Sequence, residues 1–463
     1  MRSDKMKALS LAVCVLLLAV FSACAPAAST TTTAAVTTTT AAETAAAATD
    51  ATTAAAPAAG GGDPVKLSFW TFQNAHQEFM ADAANSWNEA NPDRPIELEI
   101  GVYSYDDNHN NLLISLQSGT GAPDIVDIEI GRFANYLKGT PQLLPLNDIV
   151  EPLQDKLIMS RFENYAKDGS YYGVDYHVGV PAIYYNTEIC DAAGIDIDAI
   201  KTWDQYAEAG KTVLEKTGVP MTTLEVTEHW SFYPLVTQKN SDWLGADGSV
   251  TLDDASNAEV LQFLYDMMYD SQIAVPAPGG FHHAEEYYAF MEGGGAASVW
   301  MPQWYMNRFT DYMPALNGKI AVRPLPRWEE NGVYGAGLGG TGTSITNQSK
   351  SPELAKEFLS FAKLSTEGSL KTWTMLGFDP LRWDIWTMDE MKAPNKFTEF
   401  YGTGVFDMLV TLKDQLHPIH VGELYPNAQT LVQSSVVFKV LSEKSMSPQE
   451  ALDAAAQELR AQQ

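Results

Sequence analysis

Four aromatic residues, Trp300, Trp304, Tyr305 and Phe309, crowd the eleven positions of VWMPQWYMNRF, residues 299–309. Aromatic faces cover the C–H patches of a ligand ring, and an indole N–H or phenol O–H adds a directional bond. Such density is common in cores. Here Pro302, Gln303, Asn307 and Arg308 interrupt it, and the glycines Gly293–Gly295 stand just upstream. The stretch reads as core or as the wall of a pocket. Either way its chemistry is non-covalent recognition. His282 and His283 precede Glu285 and Glu286, but adjacent side chains on a helix or strand point apart, so this is not a chelating spacing. No G-x-S-x-G, H-E-x-x-H or Walker loop occurs in the chain. The expectation is a protein that binds, without cofactor or metal, and is not an enzyme.

The elements that must hold these residues alternate. VKLSFWTF predicts a strand with Val65, Leu67 and Phe69 on one face, followed by a helix with Phe79, Ala83 and Trp87 at i, i+4, i+8. PIELEIGVY is a second strand. Leu112, Leu113 and Leu116 mark a helix, Gly119–Pro123 a turn, and a strand starts at Asp124. Asp124 fits a structural role, bonding loop donors. After YYGVDYHVGVPAIYYN the alternation restarts. Thr202 and Gln205 form a capping box, GVPMTTLEV a strand, and Val260, Phe263, Leu264 and Met267 one face of a helix. AASVWM and GKIAVRPLP predict strands. Ser351–Pro352 starts a helix that turns Leu354, Phe358, Phe361 and Ala362 inward, and Ser447, Pro448 and Glu450 start the last helix. Pro302 can also start a helix, which would put Trp304 in its first turn. Two strand–helix series predict an α/β fold of two lobes with parallel or mixed sheets, the ligand lying in the cleft beyond the strand ends.

The N-terminus places the protein outside the cell. Arg2, Lys5 and Lys7 precede an apolar run from Ala8 to Val20, and small residues lead to Cys24. Residues 1–23 read as a signal peptide and FSAC as a lipobox with Phe21 where leucine is usual, so Cys24 would carry lipid. Ala and Thr make up 29 of residues 25–62, which leaves no apolar period for a core. Residues 24–63 therefore predict a disordered tether averaging about 35 Å end to end. Of the three cysteines only Cys190 falls in the folded part, so no disulfide is available within it. The formal charge is −29, and residues 1–23 carry Arg2, Lys5 and Lys7 against Asp4, so the rest is near −31. That balance disfavours nucleic acid and anionic lipid as ligands.

Four stretches then coincide in order: APDIVDIEIGRF; VPAIYYNTEICDAAGI followed by TWDQYAEA; GGTGTSITNQSKSPELAKEFLSFA; and LGFDPL. Together they resemble the extracellular solute-binding protein family 1 that serves sugar-importing ABC transporters. The resemblance spans essentially residues 64–463. It implies a type II periplasmic-binding-protein clamp with three hinge crossings, placed near 175–180, 334–341 and 376–382. Residues 64–177 with 339–377 would form lobe 1, and 178–338 with 378–463 lobe 2. It also implies a monomeric, lipid-anchored receptor on the outer face of the membrane that hands ligand to permease subunits. A long stalk suits a single-membrane, Gram-positive type of bacterium.

The resemblance also assigns candidate ligand contacts. Trp70, Phe72 and Asn74 follow the first strand. Glu129 and Arg132 end the strand that begins at Asp124; Arg132 matches the family position, while Gly131 stands where the family has an acid. Trp230 and Trp304 align with sugar-stacking aromatics, and Trp300 remains core or wall. Tyr305 and Phe309 read as core. His177 lies at the first crossing, Gly340 and Thr341 at the second, Arg382 and Trp383 at the third. Aromatic faces beside amide, carboxylate and guanidinium groups favour a carbohydrate, whose hydroxyls need those planar polar partners. Two alternatives stay open: the same clamp holding a non-sugar solute such as an amine, and a surface glycoside hydrolase, which needs two carboxylates about 5–10 Å apart.

Overall fold

A computed structural model describes residues 52–53 and 63–463. The signal peptide, Cys24 and the rest of the tether lie outside the described residues. Twelve strands occur among those described: β1 Thr52–Thr53, β2 Val65–Thr71, β3 Ile96–Val102, β4 Ile125–Glu129, β5 Ala166–Lys167, β6 Ser170–Tyr171, β7 Pro181–Asn186, β8 Thr222–Leu224, β9 Ala274–Pro276, β10 Ser298–Pro302, β11 Ile320–Pro324 and β12 Thr341–Ile345. They make two five-stranded sheets, β1-β3-β2-β4-β12 and β11-β7-β10-β8-β9, and one hairpin, β5-β6. Both sheets are mixed. β2 pairs in parallel with β3 and β4, while β12 runs antiparallel to β4. β10 pairs in parallel with β8 and antiparallel with β7. Within the expected tether, Thr52–Thr53 forms a short strand. It pairs with Glu99 and Ile100 on the open edge of β3, where unpaired backbone groups accept any extended segment.

The periodicities explain the packing. Leu67 and Phe69 of β2 are fully buried, and helix α1, Asn74–Ala90, buries Phe79, Met80, Ala83 and Trp87 against β3. Burying each large apolar side chain is worth about 2–3 kcal/mol. Helix α2, Tyr105–Ser118, starts on the Ser104 cap and stops at Gly119, whose φ of 77° suits glycine. The Thr202–Gln205 and Ser447–Glu450 capping boxes both form.

The helix after Ser351 departs from regularity. It is α-helical over Pro352–Leu359 and widens to a π-helix over Ser360–Leu364. The wide turn brings Lys363 inside, where its Nζ donates to Val174 O at 2.6 Å and Thr343 Oγ1 at 2.8 Å.

The chain passes between the sheets three times. It leaves the first sheet after Val174, which bridges Thr343, and enters the second at β7. It returns between β11 and β12. It leaves again after helix Thr366–Leu376, which packs on α1, toward helices Lys396–Tyr401 and Gly404–Leu412, which pack on β11. Cys190 is buried, and burial pushes its thiol up to about 12. Among the described residues no helix is long and apolar enough to cross a membrane.

Candidate functional site

The three passages meet and bond to one another. Val178 N–H donates to Asp379 O at 2.9 Å, and the Asp379 carboxylate takes Gly179 N–H at 3.0 Å and Val180 N–H at 2.8 Å. Leu338 N–H reaches Gly179 O at 2.9 Å. Gly179 has φ 73°, and a Cβ there would stand 2.1 Å from Leu338 O. Beside this staple, the fully buried Arg161 donates to Gly337 O at 2.6 Å, to Asp175 at 2.6 Å and to Gly339 O. Asp175 also accepts from Tyr165 O–H and Thr341 N–H. Burial opposes the Asp175 charge most strongly, but the Arg161 guanidinium and the Tyr165 hydrogen bond, with other nearby groups, together hold the carboxyl at about 2.

The aromatic residues sit against this junction. β10 ends at Pro302, a single turn covers Gln303–Tyr305, and a helix runs over Met306–Tyr312. That places half-buried Trp304 at the strand end, its Nε1 donating to Leu338 O at 3.2 Å. The Trp230 ring lies 5.2 Å away at 77°, and the His283 ring stacks on Trp304 at 5.6 Å and 22°. Gly339, φ 71°, makes room for both indoles. A Cβ there would lie 2.8 Å from Trp304 Nε1 and 3.4 Å from the Trp230 ring. His177 approaches Trp304 at 6.4 Å and Phe378 at 5.1 Å. Burial pushes His177 down to about 3, so it is neutral, and its Nδ1 has no hydrogen-bond partner among the described residues.

A second group of candidates collects at the end of β4. The Glu129 carboxylate accepts Gly131 N–H at 2.8 Å and Tyr105 O–H at 2.9 Å. Burial pushes it up to about 7 against these bonds and the nearby Arg132 charge. Arg132 bonds Asp106 at 3.1 Å and covers the Tyr105 ring, which meets Phe72 edge-on at 5.3 Å. This group is continuous with the junction, because Ile130 N–H donates to Gly340 O at 3.0 Å. Gly131 is explained by a neighbour distant in sequence: a Cβ there would stand 2.3 Å from Gln429 Oε1.

Other candidates do not join the site. Trp300 is corrected to core: it is 1% exposed, packs on Trp203 and Tyr206, and spends its N–H on Ser231 O. Tyr305 and Phe309 are fully buried. Arg382 is corrected to a structural residue, its guanidinium held by Asp384 at 2.9 Å and Leu364 O at 3.2 Å. The Trp383 face is covered by Lys413 at 4.0 Å. Thr341 N–H, expected to meet ligand, is taken by Asp175. Gly340, φ 142°, is needed because a Cβ would meet Arg161, Asp175 and Tyr165 at 2.5 Å. Trp70 pairs edge-on with Tyr103 at 5.1 Å, and no contact with Trp230 or Trp304 is seen among the described residues. Asn74 is exposed at the start of α1. Among the described residues no group of three or more His, Cys, Asp or Glu could hold a metal.

Two half-exposed indoles nearly at right angles, set against Gly339, present apolar faces on which a ring can stack. Residues 70–366 match the family described as bacterial extracellular solute-binding protein. The chain belongs to that family. An arabinooligosaccharide-binding protein of Halalkalibacterium halodurans is 49% identical over 396 residues, spanning 86% of this chain and 89% of that one. A protein of the same name from Bacillus subtilis is 48% identical over 398 residues, spanning 85% and 92%. The maltose-bound MalE3 of T. maritima matches in structure with a TM-score of 0.69 at 19% identity, over 86% of this chain and 100% of that one. This last likeness is one of fold, the type II periplasmic-binding-protein clamp.

Several site residues carried no signal in the sequence. His283 and Glu228 are among them. Gln429 and Gln433 share a helix that begins at Tyr425 and widens at Val432. Gln429 faces Gly131, and Gln433 bonds Glu228 and, at 3.2 Å, His229. A polar residue on an amphipathic helix looks solvated until its distant partner is known.

Proposed function

We propose that this solute-binding protein captures an oligosaccharide between its two lobes and delivers it to an ABC import permease, and that arabino-oligosaccharides are its ligand class. The observation that carries the reading is the Trp230–Trp304 pair at Gly339 in a chain 49% identical to an arabinooligosaccharide-binding protein. Each indole takes one sugar face. Glu129, Arg132, Glu228, Gln429, Gln433 and the unpartnered His177 Nδ1 supply polar partners for hydroxyls. Ligand held by groups from both lobes favours the closed clamp only by the contacts it gains on closure.

Lobe 1 is residues 64–177 with 339–377, and lobe 2 is 178–338 with 378–463. A lipid on Cys24 anchors the monomeric receptor to the outer face of a Gram-positive type membrane. The sequence pattern of residues 1–62 supports the anchor.

Isothermal titration against arabino-oligosaccharides, malto-oligosaccharides, lactose, diacetylchitobiose and an amine tests the ligand class. Micromolar affinity for the arabino series, and at least tenfold weaker binding of the rest, is expected. Preference for another sugar or for the amine would overturn it.

A further inference from the structure

The loops carrying Trp230 and His283 leave the second sheet after β8 and β9, 52 residues apart between Trp230 and His282. One side chain ties them together. Glu225 directly follows β8 and is fully buried. Its Oε2 accepts Trp230 N–H at 2.9 Å, and its Oε1 accepts His282 N–H at 2.9 Å. Its own N–H donates to Ser231 Oγ at 2.9 Å.

His282 is fixed on every side. Its ring meets Thr223 Oγ1 at 3.0 Å and Met301 S at 3.4 Å, and its carbonyl accepts the Tyr305 O–H. Tyr305 adjoins Trp304, and His283 stacks on Trp304. One carboxyl group thus reaches both indoles of the platform, through a backbone amide on one side and through His282 on the other.

Among the described residues no cation stabilises Glu225. The His282 Nδ1 lies 3.5 Å from Oε1, but burial pushes that ring down to about 3, so it is neutral. Glu228, Tyr287 and Tyr305 are the other titratable groups close by. Burial, with the Glu228 charge adding to it, pushes the Glu225 carboxyl up to about 8. A buried acid without a cation is unfavourable, and an apolar residue would fill the space more easily. What the acid adds is two acceptors that diverge toward two loops.

We propose that Glu225 is a positioning residue for the sugar platform: its paired oxygens set Trp230 and Trp304 relative to each other without touching ligand. The proposal rests on the carbohydrate reading above. Glu225→Gln has the same shape but one acceptor, so it frees one loop. Expected in this variant are an altered near-ultraviolet circular dichroism of the ligand-free protein and at least a tenfold rise in Kd for arabino-oligosaccharide. Leu264→Ala, a core truncation in the helix Ala255–Tyr269, is the control. It lowers Tm and leaves both readouts unchanged. If Glu225→Gln behaves like Leu264→Ala, the proposal is overturned.

Should Glu225→Gln not fold, amide exchange of the wild type decides. Trp230 and His282 amides are expected to exchange slowly and together, and rapid exchange of either overturns the proposal. If the wild type binds no sugar, the carbohydrate reading fails by itself. The dichroism and exchange measurements still test the positioning.

Discussion

Replacing Trp304 with alanine separates platform from core. In the structure Trp304 is half-buried, bonds Leu338 O at 3.2 Å, meets Trp230 at 5.2 Å and stacks on His283 at 5.6 Å. A sugar covering about a third of a roughly 200 Å² indole is worth about 1.7 kcal/mol at ~25 cal/mol/Å². Losing that contact raises Kd by roughly 15- to 20-fold, since about 1.4 kcal/mol is tenfold. The Leu338 bond contributes about 1 kcal/mol and the ring contacts about 0.5–1.5 kcal/mol each. Stability should therefore fall by about 2–4 kcal/mol while the clamp stays folded. Titration calorimetry of the folded variant reads the affinity, and urea unfolding reads the stability. Trp304→Phe keeps a face, loses the N–H, and should recover part of the affinity. A Kd within twofold of wild type in folded Trp304→Ala would refute the platform.

Gly339→Ala places a Cβ against Trp304 at a φ of 71°, so it should cost about 1–2 kcal/mol of stability and also weaken ligand binding. Gly119→Ala, at φ 77° in open space, should show the same backbone strain in urea unfolding with unchanged affinity. Asp379 provides a pH test. Burial, opposed by the two amide bonds, pushes its carboxyl from the usual 3.8 to about 7. Between about pH 4 and 7 the folded protein holds a proton that the unfolded chain releases, so this group makes stability fall as pH rises. Asp379→Asn should lose that one-proton slope in urea unfolding measured across the window; an unchanged slope would contradict the assignment. Cys24→Ser should move the protein from the membrane fraction to the soluble fraction, and a wild type already released into the medium would count against the lipid anchor.

Much of the scaffold was legible because local signals agreed: period-3.6 faces, capping boxes, and glycines at the predicted crossings. The place of Trp304 just beyond its strand was legible from Pro302, which ends β10. Trp300 was not. Every residue of β10 is buried, so with both faces covered the alternation of the strand could not separate core from wall. Arg382 was misread because its carboxylate partner, Asp384, and its carbonyl partner, Leu364 O, leave no pattern in the sequence. The π-helical turn that brings Lys363 inward has no composition signal either. Glu225 binds backbone amides of distant loops, and Gln429 explains Gly131 from nearly 300 residues along the chain. Such pairings exist only once the fold has formed.

Capture by closure of the two proposed lobes is measurable as a distance. Spin labels at Ile114, 63% exposed on α2, and Val410, 43% exposed on the helix Gly404–Leu412, fall in the two proposed lobes. The buried Cys190 should remain unlabelled. Distances between the labels should shift to one narrow population when arabino-oligosaccharide saturates the protein, and stay unchanged with the sugars that fail to bind. Saturable binding with no change in the interlobe distance would contradict the clamp mechanism.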